Sequence, residues 1–262
     1  MNRAVGDARP SEAVLAELEA LSRRLRLKYI RQEAPEVCLT AKAQRWEPAE
    51  MLRVLLSAEI EGRERSAIEN RRRAARFPAG KTFDTWDGAR SSISPATQKA
   101  LRSLEWVDRH ENIVVCGPSG TGKSHLCEAI GHQAVTAGMK VVWFSVEDLG
   151  ALVRRHRVDD SIAKAFTPIL RAQLVIVDDI GLLPLSADAA EGLYRLIDAA
   201  YEKRSLAISS NLHPSGFDQL MDRTIATALV DRLLHHAHVL VTEGDSIRQA
   251  DALAGKGVTP LA

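Results

Sequence analysis

The sequence predicts an α/β fold: a three-layer αβα domain on a parallel five-stranded sheet, preceded by a small all-helical N-terminal domain. Three observations predict it. After residue 80, short apolar runs of buried-strand type alternate with helical segments, the order a parallel sheet with crossover helices requires. The junction after the run Ile113-Val114-Val115-Cys116 holds the octapeptide Gly117-Pro118-Ser119-Gly120-Thr121-Gly122-Lys123-Ser124, and a helical pattern follows it. Before residue 80 the clear periodicities, from Ser11 and from Pro48, are both helical. The expected domains are therefore residues 1–80, helical and basic, and 81–262.

Composition agrees with a globular protein. Of 262 residues, 45% are hydrophobic and 26% charged, ample for a sheet core. No stretch approaches the roughly 18 apolar residues of a membrane span, and the first residues carry no apolar signal core, so a cytoplasmic location is expected. Cys38, Cys116 and Cys127 lack metal spacing and read as reduced, structural thiols. The net charge of +1 conceals an asymmetry: residues 1–80 hold 16 basic and 12 acidic side chains, the remainder 19 and 22. Two clusters stand out, Arg23, Arg24, Arg26, Lys28 and Arg31, and Arg71, Arg72, Arg73 and Arg76. Such clusters suit a phosphate backbone or, equally, a solvated helix face.

Along the chain, Ser11 reads as the N-cap of a helix with Val14, Leu18, Leu21 and Leu25 as its apolar stripe. Residues 33–46 are less regular. Pro48 opens a helix to about Arg76, with Leu52, Leu55, Leu56 and Ile60 as core face and Gly62 as a weak point of roughly 1 kcal/mol. Phe77-Pro78-Ala79-Gly80 ends it. Ser94-Pro95 starts a further helix. Strands are expected at 113–116, 140–145, 173–178, 205–210 and 238–242, with a helix from His125 to Ala137 stopped by Gly138 and another from Ala187 to Lys203 capped by Ser186.

The octapeptide reads G-x-x-x-x-G-K-[ST], the phosphate-binding loop of nucleoside triphosphatases. Gly117, Gly120 and Gly122 let the backbone turn its N–H groups onto phosphate oxygens. Lys123 supplies a point charge for the β- and γ-phosphates, and Ser124 an oxygen for Mg²⁺. Pro118, Ser119 and Thr121 complete the ATP-binding loop. The run Leu174-Val175-Ile176-Val177 ends in Asp178 and Asp179. Asp178 is expected to take the metal, and Asp179 to polarise the attacking water. Asn211, ending the fourth strand, either orients that water or is a turn residue. It can reach the γ-phosphate only if its strand lies between the loop strand and the acid strand. His235 and His236, adjacent on a helix, should point in different directions and read as surface or interface residues.

These residues together carry a resemblance. Ala75-Arg76-Phe77-Pro78 with Lys81-Thr82, the loop 117–124, Val177-Asp178-Asp179-Ile180-Gly181, Ser209-Ser210-Asn211-Leu212, Leu229-Val230-Asp231-Arg232-Leu233-Leu234-His235-His236 and Ser246-Ile247-Arg248 resemble the IstB-like helper ATPases encoded beside the transposase in bacterial insertion sequences. The chain is also similar to helicase loaders of DnaC type, a sister group among the AAA+ ATPases. The likeness covers about residues 45–250, and the Asp-Arg-Leu-Leu-His-His block is its most specific part. The resemblance implies an AAA+ P-loop domain. It places Asn211 at the sensor 1 position and Arg232 at that of an arginine finger supplied across a subunit interface, with Arg223 as rival. Asp179 replaces the Glu of most AAA+ ATPases, which implies slow turnover without a partner. The C-terminus is short for a helical lid, leaving Arg248 as the late candidate for a second sensor. The segment from Val146 to Phe166 corresponds to a DNA-facing insertion and carries Arg154, Arg155 and Arg157.

The resulting expectation is an ATP- and Mg²⁺-dependent ATPase that assembles as a homo-oligomer on double-stranded DNA and assists a cognate transposase in target selection. Arg24, Arg26, Arg71, Arg72, Arg73, Arg154, Arg155 and Arg157 are its candidate DNA contacts. The alternatives are a replicative helicase loader and a nucleotide-gated DNA scaffold with negligible hydrolysis.

Overall fold

The computed structural model describes residues 12–158 and 161–255. The chain divides into two compact units, residues 1–70 and 71–262. Helices α1 (Glu12–Arg24), α2 (Lys28–Gln44) and α3 (Pro48–Ala75) come first. Then follow α4 (Pro95–Ser103), α5 (Glu105–Asp108), β1 (Asn112–Cys116), α6 (Lys123–Thr136), β2 (Val141–Ser145), α7 (Val146–Arg157) and α8 (Ile162–Phe166). The chain continues through β3 (Leu174–Ile180), α9 (Ala187–Ala200), β4 (Ser205–Ser210), α10 (Arg223–Leu234), β5 (Ala237–Val241) and α11 (Ile247–Leu253). No helix among the described residues is long and apolar enough to cross a membrane.

In the first unit, Ile30, Ala34 and Leu55 form a small core with Leu18, Leu27, Val37 and Met51 packed around it. Ser11, the expected cap of α1, lies outside the described residues. Three expectations are corrected. Residues 33–44 are helical despite Pro35, because Ile30, Ala34 and Ala41 give α2 a buried face that outweighs local propensity. The expected stripes are largely solvent-facing: Val14, Leu21, Leu25, Leu52, Leu56 and Ile60 are exposed, and only Leu55 of the α3 set is buried. A unit this small has too little interior to cover two full stripes. Gly62 is a seat and not a flaw, since a Cβ there would lie 2.2 Å from the Tyr29 ring. Beside it, buried Glu59 accepts the Tyr29 and Ile30 amides at 2.8 and 3.0 Å and Arg63 Nε at 2.7 Å, satisfying the orphan N–H groups that open α2.

The second unit holds a parallel five-stranded sheet in the order β2-β3-β4-β1-β5. Helix α6 packs on one face against β3 and β4; α7, α9 and α10 cover the other. Val114, Val175, Val177, Leu206 and Ile208 are buried against Leu149, Leu193, Leu196 and Leu229, which completes three layers. Ser94 caps α4 and Ser186 caps α9, as their spacing predicts. Residues 77–80 belong to this unit: the Phe77 ring meets His132 at a 40° tilt with centroids 4.2 Å apart, and Ala79 and Gly80 donate their amides to Glu128, both partners lying on α6. The division between the two compact units falls after Asn70, within α3.

Candidate functional site

Strand β1 delivers the chain to the loop 117–122, and α6 begins at Lys123. Gly120 and Gly122 sit at φ +86° and +94°, and a Cβ on Gly117 would lie 2.1 Å from the Thr242 carbonyl oxygen. The loop is therefore glycine-bound both by conformation and by the C-terminal segment packed against it. That segment is tied on by the Ile247 amide donating to the Gly120 carbonyl at 3.0 Å and by the Thr121 and Thr242 hydroxyls 2.7 Å apart. Lys123 and Ser124 are the first residues of a 14-residue helix, where the helix dipole favours an anion.

Strand β4 does lie between β3 and β1, which meets the condition set for Asn211. Lys123, only 6% exposed, donates from Nζ to the Pro118 carbonyl at 2.7 Å and to Asn211 Oδ1 at 2.8 Å. Asn211 Nδ2 donates to Asp179 Oδ1 at 3.4 Å. A chain Lys123–Asn211–Asp179 thus crosses the mouth of three neighbouring strands. Burial lowers the Lys123 ammonium pKa, while the charges of Asp179 and Asp178 oppose that fall. Burial raises the Asp179 carboxyl above the ordinary aspartate range, and the Asp178 charge adds to this. A carboxylate so raised is a better proton acceptor than a free aspartate.

Ser119, Gly120, Gly122, Lys123, Ser124, Asp178, Asp179 and Asn211 line one cleft of about 600 Å³, a size that suits a nucleotide. Ser124 and Asp178 offer it a hydroxyl and a carboxylate, the hard oxygen donors that Mg²⁺ prefers. Apart from Arg248 and the Lys81 block, sequence reasoning missed the rest of the wall. Trp86 stands against the loop, since a Cβ on Gly122 would lie 3.0 Å from its ring. Its Nε1 donates to Gln98 at 2.9 Å, and its ring meets His125 edge-on at 5.2 Å. Arg90 pairs with Asp251 on α11 at 2.8 Å, joining the two segments that flank the cleft. The Lys81-Thr82 block, five residues before a tryptophan, was the available signal. Arg248, on the seven-residue α11, also faces the cleft.

Arg232 and Arg223 are absent from this lining. Arg232 pairs with Asp198 on α9 at 3.0 Å and lies over the Tyr194 ring at 5.6 Å. Arg223 opens α10 and is exposed. His235 and His236 do not diverge: α10 ends at Leu234, so their rings lie 4.1 Å apart and both approach Glu202.

Of the arginines expected to meet DNA, Arg157 pairs with Asp188 at 2.7 Å and with Glu191, and Arg154 with Asp188 at 3.5 Å. Arg155 is exposed and makes no ion pair among the described residues. Arg24 is exposed at the end of α1, and Arg26 sits in a left-handed turn at φ +56°. Arg71, Arg72 and Arg73 lie in the last turns of α3.

Comparison with known proteins adds to this geometry. A family model described as IstB-like ATP binding protein matches residues 20–254. A protein named as an ATP-binding protein of insertion sequence IS21 from Pseudomonas aeruginosa is 31% identical over 94% of this chain and 95% of its own length. The corresponding protein of IS232 from Bacillus thuringiensis subsp. berliner is 31% identical over 87% and 92%. Among solved structures, AMPPCP-bound DnaA from Aquifex aeolicus superposes with a TM-score of 0.52 at 20% identity, covering 70% of this chain and 58% of that one. DnaI does so with a TM-score of 0.52 at 16% identity, covering 66% and 94%. These last two likenesses concern the AAA+ fold.

Proposed function

We propose that this chain, which belongs to the family of IstB-like ATP binding proteins, is an ATP-hydrolysing protein that assembles on double-stranded DNA and helps the transposase of its insertion sequence to select target DNA. The observation that supports hydrolysis best is the chain Lys123–Asn211–Asp179 at the mouth of the cleft. Lys123 would exchange its Asn211 and Pro118 contacts for phosphate oxygens. Asn211, released from Lys123, would keep its hold on Asp179 and orient the attacking water. Asp179, its proton affinity raised by burial, would accept the water proton. Ser124 and Asp178 would hold Mg²⁺, which when bound neutralises charge on the β- and γ-phosphates. Trp86 offers an aromatic surface at the rim for the base.

The insertion-sequence relatives support the transposase as partner. For DNA, Arg155 is the better candidate of the α7 run, because Arg154 and Arg157 already pair with α9; Arg24, Arg26, Arg71, Arg72 and Arg73 are the candidates of the N-terminal clusters. The carboxylate of Asp179, one methylene short of a glutamate, favours a second reading, a nucleotide-gated scaffold that turns over slowly.

A salt titration of duplex binding with a non-hydrolysable ATP analogue tests the DNA reading. Binding should require nucleotide and vary little with sequence. Arg155→Ala should lower the log–log salt slope by roughly 0.9, the contribution of one phosphate contact. Nucleotide-independent, salt-insensitive binding would overturn it. Turnover measured with and without DNA separates the ATPase from the scaffold.

A further inference from the structure

The two acids at the end of β3 sit in an irregularity of the sheet. On β4, Ile208 pairs with Val177 and Ser210 with Ile180, so Asp178 and Asp179 together face the single residue Ser209. This is a bulge on β3, and a bulge leaves a ladder amide without its backbone partner. Asp179 carries the distortion, at φ +67° in the left-handed region. Its orphaned amide donates to Ser209 Oγ at 3.0 Å. The Ser209 hydroxyl has one proton of its own, and it donates that proton to Asp178 Oδ1. Ser209 is 1% exposed and does not line the cleft, so both of its bonds go to the acid pair and it has no surface to offer a nucleotide.

We propose that Ser209 is the positioning residue of the metal-side carboxylate: one buried hydroxyl fixes the orientation of Asp178 and, by replacing the missing ladder partner, holds the Asp179 backbone in the bulge. A carboxylate that must hold Mg²⁺ beside Ser124 gains affinity when its rotamer is fixed before the metal arrives. The same hydroxyl makes the spacing between the metal acid and the proton-accepting acid a property of β4. The neighbouring hydroxyl has a different task. Ser210, fully buried, donates to the Leu212 carbonyl at 2.6 Å and accepts the Leu212 amide at 3.1 Å, which sets the turn carrying Asn211. Two equally buried serines in sequence therefore serve two different site residues.

This inference rests on the nucleotide reading of the cleft, and the test separates the two. Mn²⁺ is the probe, its uptake by the full chain followed by electron paramagnetic resonance with a non-hydrolysable ATP analogue present. Binding of the same analogue in EDTA is measured alongside. Ser209→Cys keeps the volume but donates weakly; Ser209→Ala removes the donor; Ser209→Thr restores a hydroxyl; Ser205→Ala, at the buried far end of β4 where the hydroxyl donates to the Val107 carbonyl, is the comparison. The expected result is a half-saturating Mn²⁺ concentration raised roughly tenfold or more in the Cys and Ala variants of Ser209. Ser209→Thr should recover wild-type uptake, analogue binding in EDTA should be retained, and Ser205→Ala should leave Mn²⁺ uptake unchanged. Wild-type uptake in both Ser209→Cys and Ser209→Ala would overturn the role of Ser209 and leave the cleft reading standing. An equal loss in Ser205→Ala would reduce Ser209 to general packing. A wild-type protein that takes up no Mn²⁺ with the analogue would overturn the cleft reading itself, and this inference with it.

Discussion

Lys123 is nearly buried, and its ammonium donates to two oxygens of this chain, Pro118 at 2.7 Å and Asn211 at 2.8 Å. Its replacement should act chiefly on binding and cost a little stability, because both acceptors lose their donor. Lys123→Ala is expected to weaken ATP roughly tenfold to a hundredfold, the worth of a charge-assisted hydrogen bond, with a melting temperature lowered by no more than a few degrees. Calorimetric titration and thermal unfolding check the two halves. Asp179 should behave in the opposite way. Asp179→Asn keeps the size and the Asn211 neighbourhood but removes the proton acceptor, so binding should persist while turnover falls roughly a hundredfold or more. A variant that hydrolyses at the wild-type rate would show that Asp179 is structural and that another group places the water.

At the scale of elements, the sheet edge beside the loop strand is fastened by charge. Glu111, just before β1, accepts from Arg109 Nε at 2.8 Å and pairs with His238 on β5 at 2.8 Å. Arg109 first, then His238, pull the Glu111 pKa down to about 2 from 4.5. A carboxyl lowered on folding stabilises the native state above its unfolded pKa and loses that contribution as pH falls through the folded one. Both partners are half-exposed and screened by solvent, so the contribution is about 1 kcal/mol and not the full value of the shift. Glu111→Gln should accordingly melt below the wild type near pH 6, and the gap should close between about pH 4.5 and pH 2. Thermal unfolding across that range decides it; a gap that persists at pH 2 would assign the effect to packing. The arginines of α7 show the limit of charge counting. Arg154, Arg155 and Arg157 form one basic run in the sequence, but Asp188 and Glu191 of α9 occupy two of them.

For the whole molecule, the cleft draws its loop, metal, acid and polar residues from one chain but takes neither Arg232 nor Arg223. A finger in Arg232 must then come from a second copy, and activity should rise more than linearly with protein concentration. Mixing Arg232→Ala with Lys123→Ala should restore part of the ATPase, because one intact loop can face one intact finger. Steady-state turnover across mixing ratios, with mixed oligomers confirmed, is the measurement; no recovery at any ratio would remove Arg232 as the finger and pass that role to Arg223.

The sequence by itself determined the sheet, the loop and the acids. Parallel strands buried on both faces must be continuous apolar runs, and a phosphate loop must be glycine-rich between a strand and a helix, so both are written locally. The Ser94 and Ser186 caps were legible for the same reason. Only the tertiary structure decided the strand order that brings Asn211 beside Lys123, the bulge that sets Asp178 and Asp179 against Ser209, and the placing of Trp86 and Asp251 at the rim. It also decided that Leu52, Leu56 and Ile60 face outward and that Gly62 seats Tyr29. Each of these depends on which distant segment arrives opposite a residue, and helical or strand periodicity records only that a face is apolar, never what will meet it.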